Sequence, residues 1–157
     1  MRGKQAPKRK RIPDVKFNSE IIGRAIAQVM KDGKKSVAQK VVYRAFDIIK
    51  EKTGNEPMDV FNQAMRNVGP SVEVRARRVG GANYQIPFPV RGDRQVTLAL
   101  RWLIGAAKGR KGKPMSEKLA IEIMEAAQGE GAAMKKKNDM NKMAEANKAF
   151  AHFARFG

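Results

Sequence analysis

The sequence has no cysteine, and His152 is the only histidine among its 157 residues. Without cysteine the chain can form neither a disulfide nor a thiolate metal site, and one histidine cannot complete a zinc site of histidine and cysteine ligands. A histidine-based triad would have to use His152, which stands in an aromatic C-terminal stretch. The acidic residues Glu117, Glu122 and Glu125 have the pattern of solvent-facing helix charges. We therefore predict neither an enzyme nor a bound metal or cofactor.

Long apolar runs are missing as well. The longest candidate, residues 102–107, is far too short to span a bilayer, and the basic N-terminus lacks the apolar stretch of a signal peptide. No glycine-rich phosphate-binding pattern occurs, and Gly80-Gly81 is a turn signal only. These absences favour a soluble, cytoplasmic protein without a membrane partner.

Positive charge is what the sequence has in excess. It contains 33 lysines and arginines against 15 acidic residues, a net charge of +18, which indicates a polyanionic partner. A length of 157 residues is enough for one domain with a real core, and a hydrophobic content of 42% indicates a globular chain. Residues 1–13 hold six basic side chains and no acidic one, so we predict a disordered arm over 1–13 that orders on its partner. The remaining residues, 14–157, are predicted to form a single domain.

Apolar residues recur at steps of three and four in six segments, so we predict a mainly α fold of six helices. Trp102 is expected to pack in the core rather than against a base. The stretch 149–156, with a phenylalanine at every third position, either extends the sixth helix or docks as an aromatic tail on RNA or a neighbouring protein. The six helices are predicted to begin near Ser19, Lys35, Pro57, Asp93, Ser116 and Ala132, with Asn18 or Ser19 capping the first helix and Ser116 capping the fifth.

Between the third and fourth helices the period changes from helical to alternating. Two alternating runs flank Gly80-Gly81, which predicts a two-stranded antiparallel ribbon over 71–91. Pro87 and Pro89 leave one ribbon edge without donors, so no third strand is expected there. If both apolar rows share a face, the tip must be longer than two residues or bulged. The corresponding register pairs Val72 with Val90, Val74 with Phe88 and Ala76 with Ile86.

Six segments of the chain, in family order, carry a resemblance to a known family. They are Asp32-Gly33-Lys34-Lys35, Val72-Glu73-Val74, Arg77-Arg78-Val79-Gly80-Gly81, Tyr84-Gln85, Leu100-Arg101-Trp102 and residues 143–152. Together they resemble the bacterial small-subunit ribosomal protein seven family. The resemblance implies a six-helix bundle with a protruding β-ribbon arm. It implies that the protein is a primary binder of small-subunit ribosomal RNA. It also implies nucleation of head assembly, a place at the subunit interface, and a ribbon near the tRNA exit site and the messenger path.

The resemblance further implies partners and contact residues. Ribosomal proteins nine and eleven are the expected protein neighbours, and the ribbon tip is expected to serve the tRNA side through Gly80, Gly81, Ala82, Asn83 and Tyr84. Tyr84 could stack on a base or pack across the ribbon against the stem of Arg78. The residues expected to contact ribosomal RNA are Arg2, Lys4, Lys8, Arg9, Lys10, Arg11, Lys34, Lys35, Arg75, Arg77, Arg78, Arg91, Arg94, Lys108, Arg110, Lys111, Lys113, Lys135, Lys136 and Lys137.

Two other functions fit a basic ribbon. An architectural DNA binder would use it in the minor groove and insert an apolar wedge between base steps. The tip Gly-Gly-Ala-Asn-Tyr offers no such wedge, and both prolines lie within the strand. An RNA-modifying enzyme would need a cofactor, for which the residues give no pattern.

Overall fold

The computed structural model describes Gly3 and residues 12–155. Its elements follow the predicted order: along the chain, helices precede and follow a two-stranded sheet. The predicted mainly α fold with a ribbon between the third and fourth helices is therefore confirmed. A short 3₁₀ helix follows the sixth helix. The elements are α1 (Glu20–Val29), α2 (Lys35–Thr53), α3 (Pro57–Val68), β1 (Val72–Val79), β2 (Ala82–Pro89), α4 (Asp93–Gly109), α5 (Met115–Ala127), α6 (Gly131–Ala146) and the 3₁₀ helix (Lys148–Arg155).

The helix ends follow local chemistry. Helix α2 stops at Gly54, whose φ of 67° is a left-handed conformation that glycine adopts without strain. Helix α3 begins with Pro57 in its first turn, where a missing N–H costs nothing. The prediction that Ser116 caps the fifth helix is wrong, because α5 begins at Met115 after Pro114 and already contains Ser116. Pro114, two residues before Ser116, occupies the cap position instead.

Helix α5 lies at the centre of the bundle and packs against α2, α3, α4 and α6. Its Ile123 is 1% exposed and lies among side chains of the surrounding helices, including Phe46 of α2 and Leu103 of α4. Phe46 itself is almost fully buried. Trp102 is 8% exposed, which confirms its predicted place in the core.

Asp14 ties the start of the domain to the bundle. It is 5% exposed, and its carboxylate accepts a hydrogen bond from the Tyr43 hydroxyl at 2.7 Å and others from the backbone N–H groups of Lys16 and Phe17 at 3.1 Å. Burial, and then the hydrogen bond to Asp14, raise the pKa of Tyr43 above its usual range. Apart from Gly3, Ile12 and Pro13, the predicted arm 1–13 lies outside the described residues, so its disorder stays a prediction.

The ribbon register differs from the predicted one. Val72 lies opposite Pro89, Val74 opposite Pro87 and Val79 opposite Ala82, which leaves a two-residue tip. Gly80 and Gly81 have φ values of 57° and 92°, the signature of a type I′ turn, whose twist matches that of the strands. The predicted longer or bulged tip, and the predicted pairing of the two apolar rows, are therefore wrong.

The observed register brings the apolar row of β2 onto the same face as the charged row of β1. Glu73, Arg75 and Arg77 lie opposite Phe88, Ile86 and Tyr84, respectively, while Val74 points to the other face. The charged row is stable there because its ions pair with one another and because the Arg75 guanidinium lies 5.2 Å from the Phe88 ring centroid.

Both edges of the ribbon are closed to further strands in the part of the chain that the structure describes. Val90 donates its N–H to the Ser71 carbonyl across the ribbon at 2.8 Å, so the backbone nitrogens of Pro87 and Pro89, three and one residues earlier, face the outer edge, as predicted. On the other edge, the N–H of Val74 contacts the Met140 sulfur of α6 at 3.4 Å. Within the described residues the sheet has two strands.

The aromatic C-terminal stretch neither extends α6 nor stays free. After Asn147 the chain turns into the 3₁₀ helix, whose i and i+3 side chains lie on one side. The Phe150 and Phe153 rings contact Tyr84 of β2 at centroid distances of 5.1 and 5.5 Å. The tail thus docks on the ribbon of its own chain, a partner that neither predicted alternative included; Phe156 lies outside the described residues.

Candidate nucleic-acid interface

An ion cluster holds the root of the ribbon to the bundle. Glu73 of β1 is 4% exposed, and its carboxylate accepts hydrogen bonds from Arg75 at 2.6 Å and from two nitrogens of Arg94, at 2.7 and 3.0 Å. Because Arg94 lies in the first turn of α4, this pair joins the strand to the helix that follows the ribbon. We call Glu73, Arg75 and Arg94 the ribbon-root cluster.

The two arginines of the ribbon-root cluster favour the ionised form of Glu73. Burial by itself raises the pKa of Glu73, but the hydrogen bonds and charges of Arg94 and Arg75 outweigh it and hold that pKa below its usual value. The arginine side chains remain about half exposed, at 45% for Arg94 and 55% for Arg75. Both were predicted to contact RNA, and each spends part of its hydrogen-bonding capacity inside the protein.

A second cluster holds the α4–α5 loop. The Arg110 guanidinium donates to the Glu122 carboxylate at 2.6 and 2.9 Å and also bonds Glu125. Glu122 is fully buried, and its other oxygen accepts the backbone N–H of Ala133 at 2.8 Å. The hydrogen bond to Glu125, then that to Glu122, raise the pKa of Arg110 against the lowering effect of burial. We call Arg110, Glu122 and Glu125 the loop cluster.

The loop cluster changes the interpretation of Glu122 and of Arg110. The view of Glu122 as a helix-surface charge is wrong, since the α4–α5 loop and the start of α6 close over it. Arg110 was grouped with its neighbours as an RNA contact, but it holds the loop rather than extending from it. Glu122 lies three residues after Leu119 and four before Ala126, both of which are buried, so the helical period was a usable signal that the acid turns inward.

In the part of the chain that the structure describes, the lysines of the α4–α5 loop and of the α1–α2 turn are not held by ion pairs of this kind. Lys34, Lys35, Lys108, Lys111 and Lys113 are all exposed, and none forms an ion pair with a described residue. Lys34 and Lys108, which are 74 residues apart in sequence, line one groove together with Lys31, a residue that was not among the predicted contacts. We call Lys31, Lys34, Lys35, Lys108, Lys111 and Lys113 the basic end of the bundle.

Of the three α6 lysines, two face solvent. Lys135 and Lys136 are exposed, whereas Lys137 is half-buried and donates a hydrogen bond to the backbone carbonyl of Asn67. The Asn67 side-chain amide in turn donates to the carbonyls that end α5, Ala126 and Ala127, at 2.9 Å each. Lys137 therefore joins α6 to α3, and Lys135 and Lys136 are the better placed of the three to meet a polyanion.

Most of the ribbon tip stands clear of the bundle. Gly80, Gly81, Ala82 and Asn83 are exposed, and a Cβ placed on either glycine would meet no atom within 4 Å. Tyr84 is half-buried; its neighbours across the ribbon and on the 3₁₀ helix are Arg77, Phe150 and Phe153, so the suggested packing against Arg78 is wrong. Arg78 and Arg91 are exposed. The predicted contacts Arg2, Lys4, Lys8, Arg9, Lys10 and Arg11 lie outside the described residues.

The described part of the chain contains no group of three or more histidine, cysteine, aspartate or glutamate side chains placed to hold a metal ion. Its helices include none that is both long and apolar enough to cross a membrane. A helical bundle with a charged two-stranded arm and a lysine-rich end has the features of a structural protein that binds a polyanion.

Comparison with known proteins identifies the family. The model of the family described as Ribosomal protein S7p/S5e matches residues 1–148. The chain belongs to this family, whose members are structural rather than enzymatic components of the ribosome.

Curated relatives agree over nearly the whole chain. The chain is 58% identical over 147 residues to small ribosomal subunit protein uS7 of Carboxydothermus hydrogenoformans, and 60% identical over 147 residues to that of Pelotomaculum thermopropionicum. Each match covers 94% of this chain and 94% of the relative. The uS7 protein of Ligilactobacillus salivarius is 56% identical over 146 residues, covering 93% of this chain and 94% of the relative.

Proposed function

We propose that the chain is a structural constituent of the small ribosomal subunit, a primary binder of its ribosomal RNA that nucleates assembly of the subunit head. Its family and its uS7 relatives support the place in the ribosome. The observation that carries the RNA-binding role is the convergence of two separate lysine segments at the basic end of the bundle. Six cations without ion-pair partners among the described residues form a surface suited to phosphates rather than to a neutral partner.

The finer parts of the proposal concern position. The ribbon would lie at the subunit interface near the tRNA exit site and the messenger path, with ribosomal proteins nine and eleven as neighbours. The exposed tip, Gly80 to Asn83, supports this role because it has nothing to bury in its own chain. The ribbon-root cluster supports it as well, since it fixes the direction in which the ribbon leaves the bundle.

The test of RNA binding is a salt series with the full chain and naked small-subunit ribosomal RNA. Each neutralised phosphate contributes about 0.7 to 0.9 to the slope of log affinity against log salt, so the six lysines of the basic end alone predict a slope of magnitude at least about 4 to 5. Duplex DNA at matched salt is the competitor. A flat salt response, or equal affinity for the duplex, would contradict the proposal.

The assembly role and the tip role need separate tests. In stepwise reconstitution, omission of the chain should prevent other head proteins from loading. Normal loading without it would remove the nucleating role.

Shortening the tip between Val79 and Tyr84 should leave RNA binding and folding intact but alter tRNA occupancy at the exit site or reading-frame maintenance. Phe88→Ala, within the ribbon, should loosen the strands and reduce RNA binding. If both variants block assembly equally, the tip has no separate role.

A further inference from the structure

One end of the bundle contains an apolar groove that is open to solvent at the edge of the core. It lies where α1 and α4 end and α2 and α5 begin, and its volume is about 300 Å³. Its walls are aliphatic and thioether side chains, chiefly Met30, Val37, Val41 and Met115. Val37, in the first turn of α2, is 56% exposed and is one of the few large apolar side chains in the described chain that faces solvent.

Lysines surround the groove. Lys31 and Lys34 belong to the turn between α1 and α2, and Lys108 to the end of α4. The lining includes no acidic residue, so the groove combines an apolar floor with a cationic rim. An occupant that matches this pattern has a flat or apolar body and negative charge on both sides.

A nucleotide in single-stranded RNA has that form. Proteins read unpaired RNA by taking bases out of the stack and holding them against aromatic or apolar side chains, while cations hold the phosphates. Methionine sulfur makes favourable contacts with aromatic rings, and two methionines wall this groove. A peptide with apolar anchors would fill the floor equally well, but three lysines favour a partner with a charge at every residue.

We propose that this groove holds one unstacked base of ribosomal RNA, with its flanking phosphates on Lys31, Lys34 and Lys108. The inference rests on the RNA binding proposed above and adds a site at which a base, rather than the backbone alone, is bound. The groove gives the basic end a contribution to affinity that salt does not screen, because base contacts with apolar walls release no counterions.

The test is Val37→Gln, which keeps the net charge and replaces an exposed side chain. Val15→Gln is the matched control, since Val15 is 91% exposed and does not line the groove. Affinity of the full chains for naked small-subunit ribosomal RNA is measured over a salt series. Val37→Gln should bind about 5- to 50-fold more weakly at every salt concentration with an unchanged slope, as expected for one lost base contact. Val15→Gln should match the wild-type chain.

Chemical probing of the RNA in the same complexes supplies a second measurement. One base should be protected by the wild-type chain and by Val15→Gln, and become reactive with Val37→Gln. Equal affinity and equal protection for all three chains would overturn the inference while leaving RNA binding intact. If the wild-type chain itself failed to bind, the proposed function would fail first. If Val37→Gln impaired only loading of another ribosomal protein, a protein segment would occupy the groove and the base site would be wrong.

Discussion

The ribbon root and the basic end of the bundle use positive charge in opposite ways. At the root, Arg75 and Arg94 converge on the buried Glu73, whereas Lys34 and Lys108 surround a groove without an acidic lining residue. Arginine suits the first task because its planar guanidinium can donate two N–H groups to one carboxylate at once, as Arg94 does to a single oxygen of Glu73. Lysine suits the second because its compact ammonium stays hydrated until a phosphate replaces water. A net charge of +18 is therefore not a count of RNA contacts.

The loop between α4 and α5 contains both uses within a few residues. Arg110 is held by Glu122 and Glu125, and Lys111 beside it is exposed without an ion-pair partner among the described residues. Arg110 fixes the backbone path of the loop, and this path determines where the loop lysines lie.

The loop cluster provides the largest effect. Glu122→Ala should lower the free energy of unfolding by about 3 kcal/mol, because it leaves a guanidinium without its buried partner and the Ala133 N–H without an acceptor. Urea unfolding followed by circular dichroism measures this. The control is Glu145→Ala, which breaks an exposed pair with Lys148 and should change stability by less than about 0.5 kcal/mol. Equal losses would mean that the buried acid is not a structural anchor.

The ribbon root should show a smaller and pH-dependent effect. Because the pKa of Glu73 is held below its ordinary value of 4.5, ionised Glu73 contributes stability that is fully present above that value. The contribution is lost as the pH falls through the lowered pKa. Glu73→Gln should therefore be less stable than wild type at pH 7 by about 1 to 3 kcal/mol, and the difference should shrink below about pH 4. A difference that stays constant down to pH 2 would contradict this assignment.

Neighbouring residues of the α4–α5 loop separate the two uses of charge. Arg110→Gln and Lys111→Gln remove the same charge one residue apart. Lys111→Gln should reduce the magnitude of the salt slope of RNA binding by about 0.7 to 0.9 and leave unfolding unchanged. Arg110→Gln should lower stability and leave the slope nearly unchanged. If the two variants have the same slope and the same stability, the distinction between holding and contacting cations fails.

The smallest effect concerns the outer part of the ribbon. Phe153→Ala should remove the contact with Tyr84, worth about 1 kcal/mol beyond burial, and loosen the ribbon locally. Amide hydrogen exchange should quicken in β2 near Tyr84 and remain unchanged in α5. Lys148→Ala, in the same 3₁₀ helix but without a ring contact, is the control. Exchange equal to that of the control would show that the tail does not brace the ribbon.

Much of the fold could be predicted from local patterns. Pro57 and Gly54 set helix ends through backbone geometry alone, and the apolar periods set the buried faces of the helices. The start of α5 was missed because Pro114 and Ser116 are both reasonable signals two residues apart. The ribbon register was missed because the prediction matched apolar residues with apolar residues and undervalued Gly80-Gly81, a turn that needs two positive φ values and has them at no steric cost.

By itself, the sequence determined the helices, the two-stranded ribbon and the excess of positive charge, since each depends on residues close together in the chain. Only the tertiary structure decided which cations are free. Whether an arginine meets a carboxylate depends on residues 12 to 21 positions away, as for Arg110 with Glu122 and Arg94 with Glu73. The docking of the aromatic tail on Tyr84, 66 residues before Phe150, is of the same kind. Such contacts are selected by burial and ion pairing across the fold, which a local pattern does not contain.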